Sequence, residues 1–118
     1  MAEDKAGNKS KENFILLTKP LFSPVLPPIE IITVYYDNGK KVNIIDWKYE
    51  ESNIYEYWLY KSKNKEPLTL FKQLAAVHNQ FSDEDVSAGN SYVYKLKAIH
   101  FSGRESRISK ALNITIDR

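Results

Sequence analysis

The chain has 118 residues, of which 42% are hydrophobic and 27% are charged, so it has the length and composition of one soluble globular domain rather than of a disordered chain. The absence of cysteine excludes a disulfide scaffold, a thiolate metal site and a cysteine nucleophile. The net charge of +2 argues against a nucleic-acid partner. No apolar stretch approaches the ~18 residues of a membrane span, which argues against membrane insertion.

The first 26 residues divide into two segments of opposite composition. Residues 1–13 are charged, small or polar, which predicts a disordered tail because such a segment buries too little surface to offset its ordering entropy. Residues 14–26 are mainly apolar but contain two prolines, which predicts an extended arm or linker rather than a helix or a central strand. The globular domain is therefore assigned to residues 27–118.

Two strands joined by a hairpin begin the domain. Residues 29–36 are rich in isoleucine, valine and tyrosine, and residues 42–49 form the returning strand. The Asn38-Gly39 pair between them predicts a type I′ turn, because both central residues of that turn need a positive φ. We expect Trp47 on the second strand to fill the core.

The rest of the domain has the pattern of further short strands, with turn signals at intervals of about 8–12 residues and no confident helix. Polar turns are predicted at residues 61–67 and 83–85. The remaining strands are predicted at residues 54–61, 68–71, 91–100 and 108–116, with a weak strand and loop at residues 80–86. This arrangement predicts an all-β protein, a seven-stranded antiparallel β-sandwich.

Five short motifs occupy a defined order along these strands. They are Trp47, Tyr57-Trp58-Leu59-Tyr60-Lys61, the loop from Val86 to Tyr92, Tyr92-Val93-Tyr94-Lys95-Leu96-Lys97-Ala98, and Ser102-Gly103-Arg104-Glu105-Ser106 with Ser109. In this order and spacing they resemble a fibronectin type III domain, and the resemblance extends over about residues 27–117. It implies that Tyr92 is a structural tyrosine corner, with its ring in the core and its hydroxyl bonded to the backbone. One departure is Ala88, which stands where that family commonly has proline.

The resemblance also implies a function. It indicates a non-catalytic module of a larger secreted or cell-surface protein, placed outside the cell or in the cell envelope, that acts as a spacer and as a protein-interaction or adhesion domain. The partner would be another protein or the neighbouring domains of the same parent chain, and loops on a rigid sandwich usually carry the recognition. The candidate protein contacts are Phe101, Arg104, Glu105, Glu51 and Asn53.

Side chains that could support catalysis or bind a metal are sparse. His78 is predicted in a loop and His100 at the end of a strand, so they do not form a paired metal site. The serines occur without the Gly-x-Ser-x-Gly elbow of a nucleophile. The three carboxylates at residues 83–85 suit calcium by their chemistry, but we interpret them as a solvated acidic turn. We therefore expect no enzymatic activity, no metal and no cofactor.

The aromatic side chains leave other functions open. If Tyr57 and Leu59 point inward, then Trp58 and Tyr60 point outward and could stack on a polysaccharide. The resemblance would then imply a carbohydrate-binding accessory module of a glycan-degrading system. The same rings could instead pair across strands to stabilise the sheet, or form part of a protein interface. A third function is self-assembly, in which the apolar arm at residues 14–26 adds a strand to another copy of the chain.

Overall fold

The structure, a computed structural model, describes residues 25–117. The predicted tail at residues 1–13 and nearly all of the predicted apolar arm lie outside this range. Within it there are seven strands and no helix: β1 Ile31–Asp37, β2 Val42–Lys48, β3 Ile54–Lys63, β4 Thr69–Ala75, β5 Gln80–Asp83, β6 Ser91–His100 and β7 Leu112–Thr115.

The strands form two antiparallel sheets that pack face to face. One sheet has the order β1-β2-β5, and the other has the order β4-β3-β6-β7. The predicted all-β, seven-stranded antiparallel sandwich is therefore confirmed. The two longest strands, β3 and β6, lie beside each other at the centre of the larger sheet, where each has a partner on both sides.

The core lies between the sheets and follows from the alternation of side chains along each strand. Trp47 is only 4% exposed and packs edge-on against Tyr57, with ring centroids 5.4 Å apart. The other buried core side chains of β2, β3 and β6 are Ile45, Leu59, Tyr92, Tyr94, Leu96 and Ala98. The two central strands of the larger sheet thus supply half of the side chains in the core cluster.

The β1–β2 hairpin is present, but the prediction of a type I′ turn is wrong. Residues 38–41 form a longer loop in which Lys41 has a φ of 61° and Gly39 does not have a positive φ. The Asp37 carboxylate accepts hydrogen bonds from the backbone N–H groups of Gly39 at 3.0 Å and Lys40 at 3.2 Å. The backbone carbonyl of Asp37 accepts a third bond, from the N–H of Lys41, at 2.7 Å. An aspartate at the start of the loop therefore determines its conformation.

The last strand begins later than predicted, at Leu112, because two serines interrupt the backbone pairing before it. The hydroxyl of Ser106 accepts the N–H of Ala98, and the hydroxyl of Ser109 accepts the N–H of Leu96, each at 2.8 Å. Each serine side chain thus replaces a strand carbonyl as the acceptor, and the segment stays attached to β6 without being a regular strand.

The strands β3 and β4 are both longer than predicted. β4 continues to Ala75 as an edge strand, and β3 continues to Lys63. Lys61, predicted at the boundary between a strand and a polar turn, therefore lies within β3, opposite Tyr94 of β6. Its side chain has the same phase as Tyr57 and Leu59 and points into the interior.

Candidate functional sites

Tyr92 fixes the loop that crosses from β5 to β6. Its ring is buried in the core, and its hydroxyl accepts the backbone N–H of Ser87 at 2.9 Å. This is the hydrogen bond of a tyrosine corner. The Asn90 amide donates to the Ser87 hydroxyl at 2.8 Å, and Gly89 takes a φ of 86°. These contacts hold the turn in a chain that has alanine where proline is common.

Three loops meet at the opposite end of the sandwich, at residues 49–53, 76–79 and 101–104. The N–H of Phe101 donates to the carbonyl of Asn53 at 3.0 Å, and the N–H of Ala76 donates to the carbonyl of Tyr55 at 3.2 Å. These backbone bonds hold the three loops against one another. We call the surface that they form the loop end.

An aromatic pair is exposed at the loop end. The rings of Tyr55 and Phe101 lie 5.4 Å apart between centroids, and the two residues are 52% and 69% exposed. Val77, on the third loop, is also exposed. Large apolar side chains that remain in contact with water and with each other offer a ready surface for a partner.

The predicted protein contacts fall in two places. Phe101, Asn53 and Glu51 lie on the loop end. Arg104 is the last residue of the 101–104 loop, and its backbone carbonyl accepts a hydrogen bond from the N–H of His100 at 2.8 Å. Glu105 lies beside β6 instead, where its carboxylate accepts a hydrogen bond from Lys97 at 2.8 Å.

Tyr55 was missed because the strand alternation places it on the inner face with Tyr57. A register shift in the pairing of β3 with β6, between Ile54 and Glu56, breaks that alternation. Such an irregularity adds a residue to one strand and reverses the side-chain direction that follows from alternation. No signal in the sequence of β3 alone marks it.

Trp58 and Tyr60 both lie on the outer face of the larger sheet and are partly exposed. The indole N–H of Trp58 donates to the carboxylate of Glu56 at 3.0 Å. Lys97, opposite Trp58 on β6, places its Nζ 5.9 Å from the centroid of the Tyr60 ring. The two predicted platform residues therefore share one face, with an acid and a base beside them.

A polar cluster crosses the core between the two sheets and was not anticipated. Asp83 of β5 is 1% exposed, and the Lys61 side chain is 9% exposed, with Nζ 2.8 Å from Asp83 Oδ2. The Tyr94 hydroxyl donates to the same Oδ2 at 2.6 Å and accepts from the Asn43 amide at 2.9 Å. Because burial raises the pKa of Tyr94, its hydroxyl stays protonated and remains a donor near neutral pH.

The prediction of a solvated acidic turn at residues 83–85 is wrong for its first residue. Asp83 is buried and paired with Lys61, whereas Glu84 and Asp85 are exposed. Lys61 also donates to the backbone carbonyl of Asp85 at 2.7 Å and lies 4.5 Å from the centroid of the Phe71 ring. The ammonium group therefore occupies the space beside these oxygens. A charged residue in phase with buried Tyr57 and Leu59 was the signal in the sequence.

Tyr49 connects the loop end to the start of the domain. Its hydroxyl donates to the carbonyl of Pro27 at 2.6 Å. Burial raises the pKa of Tyr49 to about 12, and the nearby carboxylate of Glu51 adds to the increase. The neutral phenol therefore retains this hydrogen bond across the physiological range.

Residues 25–117 contain no group of three or more histidine, aspartate or glutamate side chains placed to hold a metal ion. The same residues include no helix that is long and apolar enough to cross a membrane.

Comparison with known proteins defines the class of the fold. No protein-family model and no curated protein matches the chain. Among solved structures, it is similar to an Fn3-like protein from Clostridium thermocellum, with 18% identity, a TM-score of 0.62, and coverage of 76% of this chain and 92% of that one. It is also similar to the sixth fibronectin type III domain of human fibronectin type III domain containing protein 3, with 11% identity, a TM-score of 0.66, and coverage of 81% and 90%. The chain has a fibronectin type III-like fold, as predicted.

The same fold forms part of longer chains. Pectate lyase PelI from Erwinia chrysanthemi, solved in complex with tetragalacturonic acid, is 21% identical with a TM-score of 0.59, and the match covers 70% of this chain and 28% of the lyase. The chain thus spans about a quarter of the length of the pectate lyases that it matches. At these identities the likeness defines the fold alone.

Proposed function

We propose that the chain is a non-catalytic interaction module and spacer of a larger secreted or cell-surface protein, and that its loop end binds a partner protein or a neighbouring domain. The observation that carries this proposal is the exposed pair of rings, Tyr55 and Phe101, on a rigid sandwich. Aromatic side chains dominate the binding energy of most protein interfaces.

The pair is held in place before any partner arrives. The backbone bond from Phe101 to Asn53 ties the 101–104 loop to the 49–53 loop. Because the rings are already in contact, little side-chain freedom is lost on binding, which favours affinity. Glu51 on the 49–53 loop and Arg104 on the 101–104 loop add charged side chains to the loop end, and these can select among partners.

A modular role is consistent with the comparisons. In two of the matched structures the similar domain makes up about nine-tenths of the chain. In the matched pectate lyase it makes up about a quarter of a longer chain. The described chain also enters the sandwich near the loop end, through Leu26, and leaves at the other end after β7. That arrangement suits a unit that separates its neighbours.

A catalytic role receives little support from the one serine–histidine contact. The Ser102 hydroxyl lies 2.8 Å from His100 Nδ1, but Ser102 also takes part in the local turn through its own N–H, which donates to the same nitrogen at 2.9 Å. Within residues 25–117, no carboxylate contacts Nε2 of His100. The described residues therefore do not form the serine–histidine–carboxylate triad of a hydrolase. We therefore assign this pair to the structure of the loop.

The interaction is tested by replacing one ring. We expect Phe101→Ala to weaken binding at least ~10-fold, because it removes an exposed anchor, while changing the free energy of unfolding by no more than about 0.5 kcal/mol. Binding is measured by comparing which surface and secreted proteins of the source organism are retained on the immobilised wild type and on the variant. Partners found in this way are then titrated individually.

Tyr35→Ala is the matched control, because Tyr35 is also about half exposed but lies on β1 of the other sheet. The control should retain the same partners as the wild type. Equal retention by all three proteins, with melting temperatures unchanged, would contradict a binding role for the loop end.

A second candidate function is polysaccharide binding on the outer face of the larger sheet. Trp58 and Tyr60 share that face. Glu56 beside them can accept hydrogen bonds from sugar hydroxyl groups, and Lys97 can donate to sugar hydroxyl or carboxylate groups. The similarity to part of a pectate lyase that was solved with tetragalacturonic acid supports testing acidic polysaccharides first.

Tryptophan fluorescence distinguishes this candidate. Trp47 is buried, so we expect a saturable change from Trp58 on titration with polygalacturonate, and we expect Trp58→Phe to lose that change. Neutral glucans serve as the comparison ligands. A flat titration of the wild type with every polymer would remove Trp58 as a glycan platform.

A further inference from the structure

The buried ion pair of the polar cluster brings two reactive groups together. Lys61 Nζ lies 2.8 Å from Asp83 Oδ2, and both side chains are almost fully removed from solvent. An amine and a carboxyl group held at this distance can condense to an amide. We propose that Lys61 and Asp83 form an intramolecular isopeptide bond, between Nζ and Cγ, that covalently joins the two sheets.

The attack requires the uncharged forms of both groups, an amine and a carboxylic acid, and the pair lies beside two aromatic rings. Lys61 Nζ lies 4.5 Å from the centroid of the Phe71 ring and 5.1 Å from that of the Tyr92 ring. Transfer of one proton from the ammonium group to Asp83 Oδ2 removes both charges and leaves a nucleophilic amine beside a carboxylic acid.

Each oxygen of Asp83 has a donor that assists the reaction. The backbone N–H of Asp85 donates to Oδ1 at 2.9 Å, where negative charge develops when Nζ attacks Cγ. The Tyr94 hydroxyl donates to Oδ2, the oxygen that leaves, at 2.6 Å. Asn43 in turn donates to Tyr94 and directs the tyrosine proton toward Asp83.

A base for the second proton is also present. The Asp85 carboxylate lies 3.6 Å from Lys61 Nζ, and its side chain is otherwise open to solvent. It can accept a proton from the attacking nitrogen and pass it to the departing oxygen, which is general acid–base catalysis. The nucleophile, electrophile, oxyanion donor and base therefore come from three adjacent segments, β3, β5 and the loop after β5.

The reaction balances without any other reagent. The Nζ–Cγ bond forms and the Cγ–Oδ2 bond breaks. Of the three ammonium protons, one passes to Oδ2 before the attack, a second reaches it by way of Asp85, and the third stays on the amide nitrogen. Oδ2 leaves as water, and Oδ1 becomes the amide oxygen. Holding the groups together raises their effective concentration by orders of magnitude, which offsets the tendency of water to hydrolyse amides.

Intact mass spectrometry of the purified full-length chain tests the proposal. We expect the wild type, kept folded at neutral pH, to be lighter than its sequence mass by one water molecule. Proteolytic fragments should include a branched peptide that links Lys61 to Asp83. We expect Asp85→Asn to slow the loss of water about 10-fold or more, because the base is removed.

Lys61→Arg is the matched control, because it keeps a cation beside Asp83 but removes the amine nucleophile. This variant should retain its full sequence mass. A wild type at full mass after prolonged incubation would overturn the proposal, as would a loss of water that persists in Lys61→Arg. The wild-type mass alone decides the question if Lys61→Arg does not fold.

Discussion

Replacing Trp47 with alanine is expected to lower the free energy of unfolding by about 3–5 kcal/mol. The indole ring lies between the sheets, is 4% exposed, and contacts Tyr57 at a centroid distance of 5.4 Å. Its removal loses the transfer energy of a large apolar side chain and leaves a cavity that the two sheets cannot close. Domains of this size are often stabilised by only ~5–15 kcal/mol, so the variant should be at least partly unfolded at physiological temperature.

Thermal unfolding followed by circular dichroism measures this effect. Trp58→Ala is the matched control, because it deletes the same side chain from the partly exposed outer face, and its loss should be clearly smaller. A Trp47→Ala protein with the melting temperature of the wild type would show that Trp47 does not support the core.

Replacing Lys61 with methionine is the second change with a large expected effect, a loss of about 3–5 kcal/mol. The substitution keeps an apolar stem of similar length but leaves the carboxylate of Asp83 buried without its cation. The direction of the effect is the same if the two residues are joined covalently, because the variant loses the bond as well. The free energy of unfolding is obtained from denaturant titration.

Two further variants test whether the unpaired charge of Asp83 causes the loss of stability in Lys61→Met. Lys95→Met removes a lysine from the outer face of β6 and should change the stability by less than about 0.5 kcal/mol. Adding Asp83→Leu to Lys61→Met removes the unpaired charge, and the double variant should be more stable than Lys61→Met alone. A double variant that is no more stable than the single one would show that the charge is not the source of the loss.

The strands that the sequence predicts best are those with an unbroken local pattern. β6 is found at its predicted bounds, 91–100, because Tyr92, Tyr94, Leu96 and Ala98 occupy every second position and form one apolar face. The β1–β2 hairpin is also correct in place. Its turn type is not, since the Asp37 side chain competes with the Asn-Gly preference for the backbone N–H groups of the loop.

The candidate functional surfaces depend on pairing between distant segments and are therefore harder to predict. Phe101 and Trp58 are placed correctly at the surface by local alternation and loop signals. The outward direction of Tyr55 requires the register of β3 against β6, which its own sequence does not specify. The burial of Lys61 likewise requires an acid on another strand, Asp83, and that partner is visible only once the two sheets are packed.

The positions at which the chain enters and leaves the sandwich have a mechanical consequence. β1 starts beside the loop end, and β7 finishes at the far end, opposite the start of β6. In the proposed role as a module of a longer protein, a pull along that protein would load the β1–β2 and β6–β7 ladders in shear. Many hydrogen bonds would then resist together rather than opening one by one. Resistance to such a force is governed by the unfolding rate rather than by equilibrium stability. The proposed covalent link between Lys61 and Asp83 joins the two layers and would then prevent one sheet from sliding over the other.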